Sequence, residues 1–215
     1  MTATTRAAEK AEEIASDSAD LLAGQVPGDP DKAVGHPLHP ATVHWPIAFL
    51  TACFGLTTIT LLPANLYPSF FLPPPSAIPS LVHYSAGAAV LSSVPAIVTG
   101  AGEAYKLAKK EYKEKGSWEA VFDNSWNMKD DGGRKLKMTV KHASLNDVVI
   151  FLAAYNWYHG WAHPYDPIPA IVLALNAVAF PALLYSAMLG GRMVYEYGMG
   201  VQRQGAGKQV REKDE

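Results

Sequence analysis

The chain has 215 residues, with 18 Lys and Arg against 20 Asp and Glu, and a formal net charge of −2. None of these charged residues occurs in the 70 positions 33–102, and Asp166 is the only charge in positions 148–191. This separation excludes disorder over most of the chain and charge-driven nucleic-acid binding, and it argues against an ordinary soluble domain. The single cysteine, Cys53, lies in an apolar run, so the monomer can form neither a disulfide nor a cysteine zinc site.

The composition divides the chain into a polar N-terminal tail (residues 1–34), a membrane domain (35–201) and a polar C-terminal tail (202–215). The first 22 residues carry five acidic side chains and no apolar segment, which excludes a cleaved secretory signal and disfavours a mitochondrial presequence. We expect an exposed helix here that ends at the turn cluster of residues 27–30.

Four apolar windows approach the roughly 20 residues that a helix needs to cross a hydrocarbon core. They cover residues 41–62, 81–99, 143–159 and 168–190. The third is the least apolar because it carries Asn146, Asp147 and Asn156, which we expect to face the interior of a bundle. The predicted fold class is therefore an all-α, multi-pass membrane four-helix bundle.

Two connecting segments have distinct compositions. Residues 103–142 contain two sets of aromatic or small residues at helical spacing amid lysines, which predicts one or two interfacial helices. The alternative is a solvated loop whose aromatics pack on the bundle. Residues 63–80 are uncharged and contain three consecutive prolines, so we expect an extended loop. The helical sets are Tyr105, Ala108 and Tyr112, and Trp118, Phe122 and Trp126.

Four spans would place both termini and the 103–142 loop on one side of the membrane. Those segments carry 3, 10 and 5 of the Lys and Arg residues, which is all 18, and the two opposite loops carry none. The positive-inside rule then predicts both termini on the cytoplasmic or matrix-equivalent side, without naming an organelle.

Four histidines lie at this charged face, namely His36, His39, His44 and His142. Each of His36 and His39 precedes a proline, which favours an extended segment before the first span. Ser144 and Asp147 form a capping pattern that would begin the third span and leave His142 just outside it.

Neutral imidazole is a ligand of haem and of many metals, so these histidines suggest a cofactor between spans one and three. We expect haem b with His44 and His142 as the axial pair, His39 as the competing ligand, and Asn146 and Asp147 as supporting residues. The alternatives are that the histidines bond helix-end carbonyls or lipid phosphates, or that they transfer protons. Asp147 is more simply explained as a helix cap.

Three further histidines, His83, His159 and His163, lie at the opposite face among several aromatic residues. The aromatics alone fit an interfacial belt. A second bis-histidine haem on His83 and His159 is a weaker alternative that rests on analogy with other helical electron carriers.

Several motifs resemble those of an uncharacterised four-helix membrane family, the domain-of-unknown-function family numbered 2231. The most specific is Gly35-His-Pro-Leu-His-Pro40 followed by Val43-His-Trp-Pro-Ile47. The other matching stretches are Pro95 to Gly100, His142 to Asn146, Leu189 to Tyr195 and Tyr197 to Val201.

This resemblance implies a multi-pass fold, and relatives joined to Rieske-type iron–sulfur domains imply redox work without supplying a reaction. Where many members carry a histidine in the last motif, this chain has Tyr197. If that histidine were an obligatory ligand, the cofactor role would not extend to this chain, although tyrosine can also ligate haem iron.

The sequence thus favours a membrane protein that binds haem b for electron transfer, with the lipid bilayer and a redox or assembly protein as partners. The alternative is a cofactor-free scaffold or assembly subunit. Transport has little support, because Asp147 is the only ionisable acid near a span interior. No nucleophile, base and acid set emerges, so the sequence leaves open whether the protein is an enzyme.

Overall fold

The computed structural model describes residues 3–22, 25–26, 29–33, 38–121, 131–164, 166–197 and 199. Its elements are α1 (Ala3–Leu22), β1 (Gln25–Val26), β2 (Asp29–Ala33), α2 (Leu38–Thr42), α3 (His44–Ile59), α4 (Ile78–Lys115), α5 (Trp118–Val121), α6 (Asp131–Ala162) and α7 (Ala170–Tyr195), with 3₁₀ turns at Ala64–Leu66 and Pro75–Ala77.

The chain divides into two compact units. The first unit comprises Met1–Thr42, Pro95–Val140 and Gly191–Glu215, and the second comprises Val43–Val94 and Lys141–Gly190. The second unit thus holds α3, the first half of α4, most of α6 and most of α7.

The second unit is a four-helix core, which confirms the predicted fold class. Each of its four helices contributes buried apolar side chains to a single cluster, so α6 is part of the same core as the other three helices. The buried members are Leu50, Cys53 and Phe54 from α3; Ile78, Val82, Ala86 and Ala89 from α4; Val149 and Ala153 from α6; and Ala179 and Leu183 from α7.

Polar side chains of this core lie inside it. Asn156 and Asn176 exchange two hydrogen bonds of 3.0 Å, and Asn176 also donates to Thr57 Oγ1 at 3.4 Å. All three residues are buried. In the described part of the chain, every buried side-chain nitrogen and oxygen has a hydrogen-bond partner, as an apolar surrounding requires.

Large apolar side chains of the same helices lie outside. Phe151 of α6 is 75% exposed and Val178 of α7 is 67% exposed, and Leu91 of α4 is similarly exposed. Buried polar side chains and exposed apolar ones are favourable in lipid, where polar groups must bond within the protein, and unfavourable in water.

Three helical segments are long and apolar enough to cross a membrane, namely Leu38–Ile59, Pro75–Lys115 and Ala170–Tyr195. The predicted third span lies within α6, which is long enough but is not among them. Its average apolarity is reduced by side chains such as Asn156, which the structure places inside the core.

The start of α6 corrects one prediction. The helix begins at Asp131, so Ser144 and Asp147 lie in its interior and the predicted cap is wrong. The helix continues upstream because residues before His142 have their own packing: Leu136 is buried against Val121 of α5. His142 consequently lies within α6 and not beside its end.

The segment before the first span is also corrected. His39 lies inside the short helix α2, whereas the sequence predicted an extended conformation. Pro40 is tolerated there because the first helical turn needs no amide donors, and the hydrogen bond of His39 described below holds the turn in place. His36 lies outside the described residues.

The first unit contains the predicted N-terminal helix, α1. Two ion pairs link α1 to the charged half of α4: Asp20 with Lys106 at 2.5 Å, and Glu12 with Lys109 at 3.4 Å. The antiparallel strands β1 and β2 follow α1. The 38-residue α4 would be roughly 57 Å long, well beyond a 30 Å hydrocarbon core.

Of the two predicted interfacial helices, the first is part of α4 and the second corresponds to the short helix α5. Tyr105, Ala108 and Tyr112 belong to the continuation of α4, and Trp118 begins the four-residue α5. Phe122 and Trp126 lie outside the described residues. The 63–80 loop is not extended throughout. It contains two 3₁₀ turns, the second of which begins at the last of the three consecutive prolines.

The amide pair in the core generates a prediction. Changing Asn156 to Ala leaves the Asn176 amide without its main partner, so we expect the free energy of unfolding to fall by about 1–3 kcal/mol. The double variant Asn156→Ala, Asn176→Ala should lose less than the sum of the single losses, by about 0.6–1.7 kcal/mol. Denaturant unfolding in detergent measures both effects.

The control is Asp147→Ala, an exposed position on the same helix, which should change stability by less than about 0.5 kcal/mol. Strict additivity of the two asparagine variants would contradict the observed pairing.

Candidate functional site

His142 is held by two helices of the second unit. Its Nδ1–H donates to the backbone oxygen of Ser186 at 2.9 Å, and the Ser186 hydroxyl lies 3.1 Å from the same nitrogen. On its own helix, the Asn146 amide donates to the His142 backbone oxygen at 2.9 Å, and its nitrogen lies over the face of the ring, 3.1 Å from Nε2 and 3.4 Å from Nδ1.

These bonds determine the state of the ring. The Ser186 backbone oxygen can only accept, so the proton is on Nδ1 and the lone pair is on Nε2. The Asn146 amide lies over the ring face and not along that lone pair, so its hydrogen bond is the one to the His142 backbone oxygen.

His39 makes a comparable contact within the first unit. Its Nδ1–H donates to the backbone oxygen of Ala96 at 2.9 Å, with Thr99 Oγ1 at 3.3 Å. Thr42 donates to the His39 backbone oxygen at 2.9 Å and lies 3.1 Å from Thr99 Oγ1. This bonding again places the lone pair of the neutral ring on Nε2.

His83 repeats the arrangement at the other end of the second unit. Its Nδ1–H donates to the backbone oxygen of Trp157 at 3.0 Å. Three histidines of the described residues therefore use the same nitrogen to bond a main-chain oxygen on another helix, and in each case a hydrogen bond of about 0.5–1.5 kcal/mol joins two helices.

A glycine accompanies each of these histidines. A Cβ built on Gly100 would lie 2.8 Å from His39 Cε1, one on Gly160 would lie 2.6 Å from His83 Nδ1, and one on Gly190 would lie 3.2 Å from His142 Cε1. Each glycine follows the acceptor residue by three or four positions, so it lies on the same helix face one turn later. We call these three arrangements the histidine–glycine contacts.

The other predicted ligands are placed differently. His44 is the first residue of α3 and its side chain is exposed, and Asp147 is exposed on α6. Asn146 does contact His142, but Asp147 is not the residue that orients it. Within the described ranges, no group of three or more His, Cys, Asp or Glu side chains is arranged to hold a metal ion.

The two histidines of the weaker predicted haem site line the same cavity. His83 and His159 both line a cavity of about 260 Å³ in the second unit, formed where α4 begins and α6 ends. His163 and Asp166 also line it, and His163 Nδ1 lies 3.2 Å from Asp166 Oδ2. The rings of His159 and His163 are 5.2 Å apart between centroids.

Sequence reasoning missed the partners of these histidines. Ser186, Asn176 and the glycines at 100, 160 and 190 were not identified as functional positions. A weak signal existed: glycine inside a helix lowers helix stability, so each internal glycine in a predicted span suggests close packing by a neighbouring side chain.

The histidine–glycine contacts predict that alanine lowers the free energy of unfolding at one glycine and raises it at another. Gly160→Ala forces its Cβ into His83 and should lower the free energy of unfolding by about 1–3 kcal/mol. The control Gly191→Ala has no neighbour within 4 Å and should raise it by about 0.5–1 kcal/mol through helix propensity. Thermal unfolding in detergent measures both, and destabilisation at Gly191 alone would contradict the contact.

The comparisons agree with the membrane architecture. The profile of one family, described as predicted membrane protein (DUF2231), matches residues 35–203. A comparison with curated proteins and one with solved structures give no match. The matched range covers most of the chain, and the chain therefore belongs to the DUF2231 family of predicted membrane proteins.

Proposed function

We propose that the protein is a membrane scaffold or assembly subunit whose histidines fix the packing of its helices. The observation that carries this proposal is the hydrogen bond from His142 Nδ1–H to the backbone oxygen of Ser186, which joins α6 to α7. In this role a histidine stabilises a helix contact and needs no cofactor.

The repetition of the arrangement supports the same conclusion. His39, His83 and His142 each bond a main-chain oxygen and each lie against a glycine. A helix–helix contact built from a small residue and a polar side chain is a common means of association where lipid removes the hydrophobic driving force. In this proposal the protein contacts the lipid bilayer and holds a stable partner protein.

The same account includes α6 as a fourth span. Its buried residues share one core with three helices that can cross a membrane, and its outward face carries exposed Phe151. Four spans place all 18 Lys and Arg on one side, so both termini lie on the cytoplasmic or matrix-equivalent side.

Haem b for electron transfer is the second candidate function. It is favoured by His39, because its Nδ1–H bond to Ala96 fixes the tautomer with the lone pair on Nε2, as in many metal-ligating histidines. Bound haem would supply one-electron transfer to a redox partner. Ligation by His44 and His142 stays a prediction.

One experiment separates the two candidates. We expect the detergent-purified protein to have no Soret band in its reduced-minus-oxidised visible spectrum and no stoichiometric metal. The variant His142→Ala should instead lower the free energy of unfolding by about 1–3 kcal/mol, because the Ser186 backbone oxygen loses its donor.

The control is Ser144→Ala, an exposed residue two positions after His142 on α6, which should change stability by less than about 0.5 kcal/mol. A haem spectrum in the parent protein that disappears in His142→Ala would overturn the scaffold proposal in favour of the haem.

A further inference from the structure

We propose that the cavity lined by His83, His159 and His163 binds the hydroxylated aromatic ring of a membrane-soluble quinol. This inference goes beyond the scaffold proposal: His83 takes part in both, through Nδ1 in the helix contact and through its other nitrogen, Nε2, in the cavity. It differs from a haem site, since it needs no metal ligation and uses the histidines as hydrogen-bond acceptors.

Contacts with protein acceptors show which ring nitrogen carries the proton in His83 and His163. His83 donates its Nδ1–H to the backbone oxygen of Trp157 at 3.0 Å. His163 Nδ1 lies 3.2 Å from Asp166 Oδ2, and a carboxylate can only accept, so Nδ1 carries that proton as well. In the neutral form of each ring, the remaining nitrogen, Nε2, is an acceptor.

A cavity with two such acceptors selects ligands that donate. The two hydroxyls of a quinol are donors, whereas the two carbonyls of the oxidised quinone are not. The ligand chemistry is therefore that of the reduced ring, and the acceptors discriminate it from the oxidised ring of nearly identical shape.

The rest of the lining suits a flat ring. Aromatic and apolar side chains supply walls, and the volume of about 260 Å³ is close to the lower end of small-molecule sites, about 300 Å³. Trp161 and Tyr84 are 74% and 72% exposed, as expected for a mouth at the edge of the bundle. The apolar and aromatic lining residues are Pro79, Val82, Tyr84, Trp161, Pro164 and Ile168.

The position suits a ligand with a lipid tail. The cavity lies where α4 begins and α6 ends, so its ring site is at the end of apolar helices and not midway along them. Aromatic side chains at such helix ends mark the membrane interface, where an amphipathic molecule places its polar head and leaves its tail in lipid. Asn156, buried in the core, also lines the cavity and supplies a further polar group.

The test compares one ligand in two redox states. The full-length protein in lipid nanodiscs is titrated anaerobically with ubiquinol carrying a single isoprenoid unit, and separately with the matching ubiquinone, by calorimetry against empty nanodiscs. We expect the quinol to bind about tenfold more tightly than the quinone, which corresponds to about 1.4 kcal/mol.

Variants assign the effect to the cavity. His163→Phe keeps a ring but removes the acceptor, and because His163 is exposed the change should leave the fold intact. It should weaken quinol binding by about fivefold to tenfold and leave quinone binding unchanged. The control His44→Phe removes an exposed histidine that does not line the cavity and should change neither affinity.

Three results would overturn the proposal. They are no binding above that of empty nanodiscs, equal affinity for the two redox states, and quinol affinity unaffected by His163→Phe. Each is readable whether or not the protein acts as a scaffold, because the measurement reports ligand affinity and not helix packing.

Discussion

The rule that a polar group surrounded by hydrocarbon must be satisfied by the protein itself governs this structure. In the four-helix core, the amides of Asn156 and Asn176 bond each other, and Thr57 completes the set. Apolar side chains such as Phe151 are left on the outside. The same rule explains why α6, the least apolar of the four helices, packs with the others: its buried Asn156 finds its side-chain partner, Asn176, only in the interior.

The histidines follow the same rule at the ends of the helices. His142 and His83 each bond a main-chain oxygen of a neighbouring helix through Nδ1, and a glycine on that helix leaves room for the ring. The bond fixes which nitrogen carries the proton, so the remaining lone pair on Nε2 determines what each ring can do. At His142 the Nδ1–H bond joins α6 to α7, and the Asn146 amide lies over the face of the ring. The cavity beside His83 is where acceptor nitrogens are combined with space for a ligand.

Three of the four predicted spans and the family were predictable, because apolar length and the motif around His44 are local properties of the sequence. The N-terminal helix α1 was predictable for the same reason. The conformation of His39 and the start of α6 were not, since local rules for residues before proline and for capping patterns were outweighed by packing from distant residues, Ala96 and Val121. Likewise, the histidines could be recognised as unusual, but their partners, such as Ser186, lie dozens of positions away. The tautomers, and hence the choice between ligand and helix contact, depend on those partners.

The central claim is that α6 crosses the membrane with Asn156 facing the core, and its direct test is the sidedness of the two segments that flank it. Single cysteines at Ser117 and at Asp166 would be labelled in sealed, oriented vesicles with a membrane-impermeant maleimide. The native Cys53, fully buried in the core, provides the unlabelled background. The account predicts that the two sites label from opposite sides of the bilayer. Labelling of both from the same side would contradict it, because α6 would then not cross.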